Sequence, residues 1–100
     1  MQVYSSHRFP LDLPRGHRFP AAKSLRLYER VRADPEFRSK LRLWGSPAAS
    51  DAQLCLAHDP AYVDAVVHGT LPMAAWREIG FAWSERMIER SRRSVGATIA

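Results

Sequence analysis

The side chains best suited to metal or acid–base chemistry are four histidines and one cysteine. His58 and His68 stand on either side of a predicted helix, and no pair of histidines has the i, i+4 spacing of helical zinc ligands. We interpret both as structural residues of the helix ends. His17 differs because it lies in a Gly-His-Arg-Phe-Pro stretch of a long loop, and long ordered loops are often functional. His17 is therefore a candidate site residue.

The candidate nucleophiles lack the sequence context of catalytic ones. Cys55 falls between two leucines on the apolar face of a predicted helix, where we expect a buried, inert thiol. As the single cysteine of the chain, it excludes both an intrachain disulfide and a CxxC redox pair. No serine lies in a G-x-S-x-G nucleophile elbow. Ser5, Ser6, Ser46 and Ser50 all lack this context.

The basic charge is concentrated in the first half of the chain. The formal net charge is +5, and the stretch from Arg8 to Arg42 holds ten basic and four acidic residues. Such a stripe is typical of a nucleic-acid binder, and equally of a solvated helix face. Because no recognised nucleic-acid-binding motif accompanies it, we favour the solvated face and keep a small basic helical nucleic-acid-binding module as the alternative. Duplex binding that weakens steeply with salt would favour that alternative.

Length and composition indicate one globular domain in the cytoplasm. The chain has 100 residues, of which 46% are hydrophobic and 25% charged, as in ordinary folded domains. No apolar run approaches the ~20 residues of a membrane span. The N-terminus lacks the apolar core of a signal peptide. We therefore expect a cytoplasmic protein without a membrane partner.

Local signals predict two short strands, at 2–5 and 41–44, and a mostly helical remainder. Proline, capping residues and glycine set most of the helix limits. The predicted helices are 20–33, 35–40, one starting at Asp51 with a Ser50/Gln53 capping box, one from Pro60 ending at Gly69, 71–78, and one capped by Ser84.

The last predicted helix points to a neighbour that the sequence does not identify. Its final residues, Val95-Gly96-Ala97, are small and would let another backbone approach closely. The helix stops within its apolar stripe and has no capping residue, so we expect it to be truncated relative to the fold for which it is shaped. Two short strands also make a poor sheet by themselves. These features favour a part of a larger fold.

Several stretches resemble, in order, the opening of the bacterial histone-deacetylase-like enzymes, among them residues 3–4, 47–50 and 69–71. Residues 13–23 (LPRGHRFPAAK) match the family's first loop and helix, and 57–63 (AHDPAYV) match its "vHdp.Yv" stretch. Residues 79–84 (IGFAWS) and 90–98 (RSRRSVGAT) match the next two blocks, with Ala82 and Ala97 where the family usually has proline and glycine. The resemblance covers nearly the whole chain.

This resemblance implies an α/β fold, in which residues 1–100 are an incomplete N-terminal segment of the three-layer arginase–deacetylase domain. The family hydrolyses acetyl-lysine or acetylpolyamine amides with a zinc ion that two aspartates and a histidine hold. A tandem histidine pair and a tyrosine complete the family's active site. No tandem His-His and no Asp-x-His occurs here. We therefore expect the catalytic residues and Zn²⁺ in the remainder of the domain, and an inactive segment when this chain stands alone.

The resemblance also assigns five residues to two loops at the mouth of the acyl-lysine channel. His17, Arg18 and Lys23 would lie in or just after the first loop, and Phe81 and Trp83 on the second. Large aromatic side chains are costly to leave in water, which agrees with a position at a pocket or an interface. The implied partners are the rest of the deacetylase domain and an acetylated amine.

Overall fold

The computed structural model describes residues 1–9, 16–17, 20 and 22–100, which form a mostly helical α/β unit with two strands. Within these residues, no helix is long and apolar enough to cross a bilayer. The elements are β1 (Gln2–Ser5), α1 (Lys23–Ala33), α2 (Pro35–Lys40), β2 (Arg42–Gly45), α3 (Asp51–Leu54), α4 (Pro60–His68), α5 (Met73–Ile79) and α6 (Glu85–Ile99).

The two strands pair in parallel, with Val3 opposite Leu43 and Ser5 opposite Gly45. A parallel pair requires a long crossover, which α1 and α2 supply here. Val3 and Leu43 face α1 across a cavity of about 250 Å³. Because side chains alternate along a strand, Trp44 points to the opposite face of the sheet, where it is 49% exposed. The sheet therefore has one face under a helix and one largely open.

The predicted helix caps are confirmed. Ser50 Oγ accepts from the Gln53 backbone N–H at 3.1 Å, and Gln53 Oε1 accepts from the Ser50 N–H at 2.9 Å, which completes the capping box. The other predicted caps also act as expected: the N-cap side chains of Asp59 and Ser84, and Gly69 in the left-handed conformation.

Two helix starts were predicted too early. α1 begins at Lys23 rather than Pro20, because its N-cap Ala22 offers no side-chain acceptor and Pro20 instead accepts a turn hydrogen bond from the Lys23 N–H. α5 begins at Met73 rather than residue 71, because a residue directly before Pro72 avoids the helical region. The second strand covers Arg42–Gly45, one residue later than predicted.

The neighbour of the small residues in α6 is the segment that follows β2, residues 46–49. Gly96 is buried against this segment, and a β-carbon there would collide with its backbone. The Ala49 N–H donates to the Arg92 carbonyl at 3.0 Å, and the Arg92 guanidinium donates back to the Ala49 carbonyl at 3.1 Å. Arg93 donates to the Ser46 carbonyl at 2.9 Å. Backbone contact and two arginines thus join α6 to the end of the sheet.

The apolar stripe of α6 is only partly covered. Met87 is buried, whereas Val95 is 38% and Ile99 51% exposed. Val95 lines an open groove between α4 and α6, of about 200 Å³, together with Val63 and Val66. Within the residues that the structure describes, no element closes this groove.

Candidate functional site

His17 and Phe81 lie together although 64 positions separate them. The His17 ring stacks against Phe81 with the ring centroids 5.7 Å apart and an angle of 23° between the planes. His17 Nε2 also lies 3.4 Å from the carbonyl oxygen of Gly80, the residue that ends α5 in the left-handed conformation. The resemblance assigns these side chains to the two loops of one channel mouth, and the structure brings the two loops into contact.

Trp83 is fixed on the other side of the same loop. Its indole N–H donates to the carbonyl of Val67 at 3.3 Å, near the end of α4. The ring packs directly over Gly69, while 40% of the residue remains exposed. Together with Glu85 and Glu89 of α6, Trp83 borders an open cavity of about 370 Å³. Trp83 therefore presents part of an aromatic surface beside α6.

The remaining predicted loop residues are placed only in part. Lys23 is the exposed first residue of α1. Arg18 lies outside the described residues. The channel role of all five residues stays a prediction.

The residues that the structure describes do not fit a zinc centre. Nowhere among them do three His, Cys, Asp or Glu side chains gather as potential metal ligands. Structural and catalytic zinc sites take three or four such ligands. No chemical step at a metal is therefore assigned to these residues.

Sequence reasoning missed a second cluster, formed by Ser5, His7 and Tyr28. His7 Nδ1 lies 3.1 Å from Ser5 Oγ. The His7 ring stacks on the Tyr28 ring with centroids 3.6 Å apart and an angle of 7°. The signal available in the sequence was a Ser-x-His triplet at the end of a predicted strand, which the search for a nucleophile elbow passes over.

The pKa of His7 lies below its ordinary value. Its partial burial disfavours the charged imidazolium, and the positive charge of Arg8 acts in the same direction. The imidazole of the folded chain is therefore neutral at pH 7.

Acid should destabilise the fold through His7. In the unfolded chain the imidazole has its ordinary pKa of about 6.5, so the unfolded chain binds more protons than the folded chain near and below this pH. The stability that His7 contributes is thus fully present above about pH 6.5. It is lost as the pH falls toward the lower pKa that His7 has in the folded chain. We expect the free energy of unfolding to fall more between pH 7.5 and 5.5 in the wild type than in His7→Gln. Arg8→Gln, which removes the second cause, should reduce the difference, and identical pH profiles for wild type and His7→Gln would contradict the assignment.

The chain is similar in sequence to part of a longer protein. No family model matches the chain. An uncharacterized protein of Picosynechococcus sp. (strain ATCC 27264 / PCC 7002 / PR-6) is 34% identical to it over 87 residues, which make up 87% of this chain and 29% of that protein. The chain thus spans less than a third of the relative that it matches, a protein of about 300 residues.

Proposed function

We propose that this chain forms the N-terminal part of a zinc-dependent deacetylase domain that hydrolyses acetyl-lysine or acetylpolyamine amides. The contact between His17 and Phe81 is the observation that carries the proposal. The family resemblance assigns these two side chains to different loops of the same channel mouth. A fold in which the loops were far apart would have removed the basis for that assignment.

The uncovered apolar surfaces support a larger domain around this unit. Parallel sheets in α/β proteins are covered on both faces, whereas the face that carries Trp44 is open. Val95 and Ile99 continue the apolar stripe of α6 but remain exposed to solvent. A relative of about 300 residues, three times the length of this chain, provides enough residues for such a domain.

In this proposal the chain supplies the rim of the channel and other residues supply the metal site. His17 and Phe81 would flank the entrance, and Trp83 would add an apolar surface beside it. Zinc in this class of enzyme activates the water that attacks the amide. The residues described here would exclude water from the entrance and orient the acyl chain.

The proposal is tested in the Picosynechococcus protein and in a chimera. In the chimera, this chain replaces the 87 matched residues of that protein. We expect both proteins to bind one zinc ion, measured by elemental analysis. We also expect both to deacetylate an acetyl-lysine peptide or N-acetylputrescine, with loss of activity on chelation and recovery with Zn²⁺. The 100-residue chain by itself is the matched control and should neither retain zinc nor deacetylate either substrate.

Two results would overturn the proposal. One is a metal-free, inactive Picosynechococcus protein that is folded by circular dichroism. The other is zinc-dependent deacetylation by the 100-residue chain itself, since the catalytic residues would then lie within it.

A further inference from the structure

Ser5 occupies a position where α/β proteins commonly bind ligands. It is the last residue of β1 and pairs with Gly45, the last residue of β2. Ligands of open parallel sheets bind beyond the carboxyl ends of the strands. The backbone of Ser5 is held there because its carbonyl accepts from the Ser46 N–H at 2.9 Å. The hydroxyl is thus presented from a fixed backbone at the carboxyl edge of the sheet.

The contacts of Ser5 Oγ leave its proton for His7. The backbone N–H of His7 donates to this oxygen at 3.3 Å, so Oγ is the acceptor in that bond. His7 Nδ1 lies 3.1 Å from the same oxygen. If the hydroxyl donates to Nδ1, the neutral ring carries its proton on Nε2, and this tautomer fits the environment that keeps His7 uncharged. A serine that donates to a neutral imidazole is the arrangement of a nucleophile and its base.

Tyr28 fixes the orientation of the base. The two rings are nearly parallel, and their centroids lie 3.6 Å apart. Tyr28 belongs to α1, which also forms one wall of the cavity against the sheet. The ring of His7 is therefore held by a regular helix rather than by its own loop.

A cavity beside Ser5 can accept a small apolar group. Its volume is about 250 Å³, and Ser5 lies in its wall. Val3, Leu27, Val31 and Leu43 make much of the wall apolar. A short acyl chain fits such a space, because apolar cavities of about 150 Å³ already bind molecules as large as benzene.

We propose that Ser5 is a nucleophile, with His7 as its base, which accepts the acyl group of a small apolar ester. Ser5 Oγ attacks the ester carbonyl carbon while its proton passes to His7 Nδ1. The bond from that carbon to the alcohol oxygen then breaks, and the departing oxygen takes the proton from His7. Water then attacks the carbonyl carbon of the acyl-serine ester while its proton passes to His7 Nδ1. The bond from that carbon to Ser5 Oγ breaks, and Oγ takes the proton from His7. A carboxylic acid is released and Ser5 is restored. The reaction uses only side chains of this chain and is independent of the deacetylase proposal.

The test uses p-nitrophenyl butyrate and the full 100-residue chain. We expect p-nitrophenol release above the buffer rate and a butyryl group on Ser5, located by tandem mass spectrometry. Ser5→Ala should abolish the butyryl adduct. His7→Gln should lower the rate about a hundredfold, the lower end of what a positioned base contributes. Ser94→Ala, the control on an exposed serine of α6 that does not line this cavity, should keep the rate within about twofold of the wild type, well below the effect of a positioned base.

Circular dichroism of each variant separates loss of chemistry from loss of fold. Ser5→Cys adds a further check, because it keeps a nucleophile at the same position and should still accept the butyryl group there. The proposal is overturned if no butyryl group is found on Ser5 or if the adduct lies on another residue. It is also overturned if a folded His7→Gln variant reacts as fast as the wild type.

Discussion

Gly96→Ala is expected to lower the free energy of unfolding by about 2 kcal/mol, although the substitution lies inside a helix. A β-carbon at Gly96 would lie 2.7 Å from the carbonyl carbon of Pro47, closer still to its oxygen, and 3.1 Å from the Ala49 nitrogen. These atoms belong to the backbone, so no side-chain rotation can relieve the collision. Overpacking of about 3 kcal/mol would outweigh the ~1 kcal/mol that alanine gains over glycine in a helix.

The sign of the effect makes this experiment decisive. Helix propensity taken by itself predicts stabilisation, whereas contact with residues 46–49 predicts destabilisation. Urea denaturation followed by circular dichroism at 222 nm measures the difference. Ser94→Ala is the matched control because it lies on the exposed side of the same helix and should be slightly stabilising. A Gly96→Ala variant as stable as the wild type would show that this segment does not lie against α6.

The features that could be predicted from the sequence are those fixed by near neighbours. Ser50, Asp59 and Ser84 cap helices because each side chain reaches a backbone N–H two or three residues ahead. Gly69 ends α4 because glycine enters the left-handed conformation without steric cost. Signals of this kind depend little on the rest of the fold.

The contacts that shape the unit join distant parts of the chain and have no local signal. The small residues of α6 indicate a close neighbour, but nothing in their sequence identifies Pro47 as that neighbour. The parallel register of Val3 with Leu43 likewise depends on the path of the intervening crossover. Local patterns therefore predict most of the elements and not how they meet.

The candidate sites illustrate the same limit in two ways. His17 and Phe81 were assigned to adjoining loops by family resemblance, since no spacing rule relates two residues 64 positions apart. The residues around Ser5 form no nucleophile elbow, so the local sequence does not indicate a reactive serine. The contact of Ser5 with His7 is local. The Tyr28 ring that orients His7 and one wall of the cavity beside Ser5 belong to α1, more than 15 residues away.

Gly69→Ala is expected to destabilise the chain by about 3 kcal/mol, because two costs act together. Gly69 has a φ of 70°, which costs a residue with a β-carbon about 1 kcal/mol. The new methyl group would also lie 2.9 Å from Cδ2 of Trp83 and 3.0 Å from its Cγ. These atoms lie near the base of the indole, so the whole ring must move and its hydrogen bond to Val67 is lost.

Gly80→Ala separates the two costs. Gly80 has a similar φ of 85°, but among the described residues no atom lies within 4 Å of an added β-carbon, so its substitution should cost only the ~1 kcal/mol of the backbone conformation. In a Trp83→Ala background, the cost of Gly69→Ala should also fall to ~1 kcal/mol, because the ring that the new methyl group would strike is gone. Urea denaturation of the four members of this cycle measures the coupling between the two sites. If Gly69→Ala costs the same with and without the indole, the ring does not pack on Gly69. The indole of Trp83 would then not be held against the end of α4.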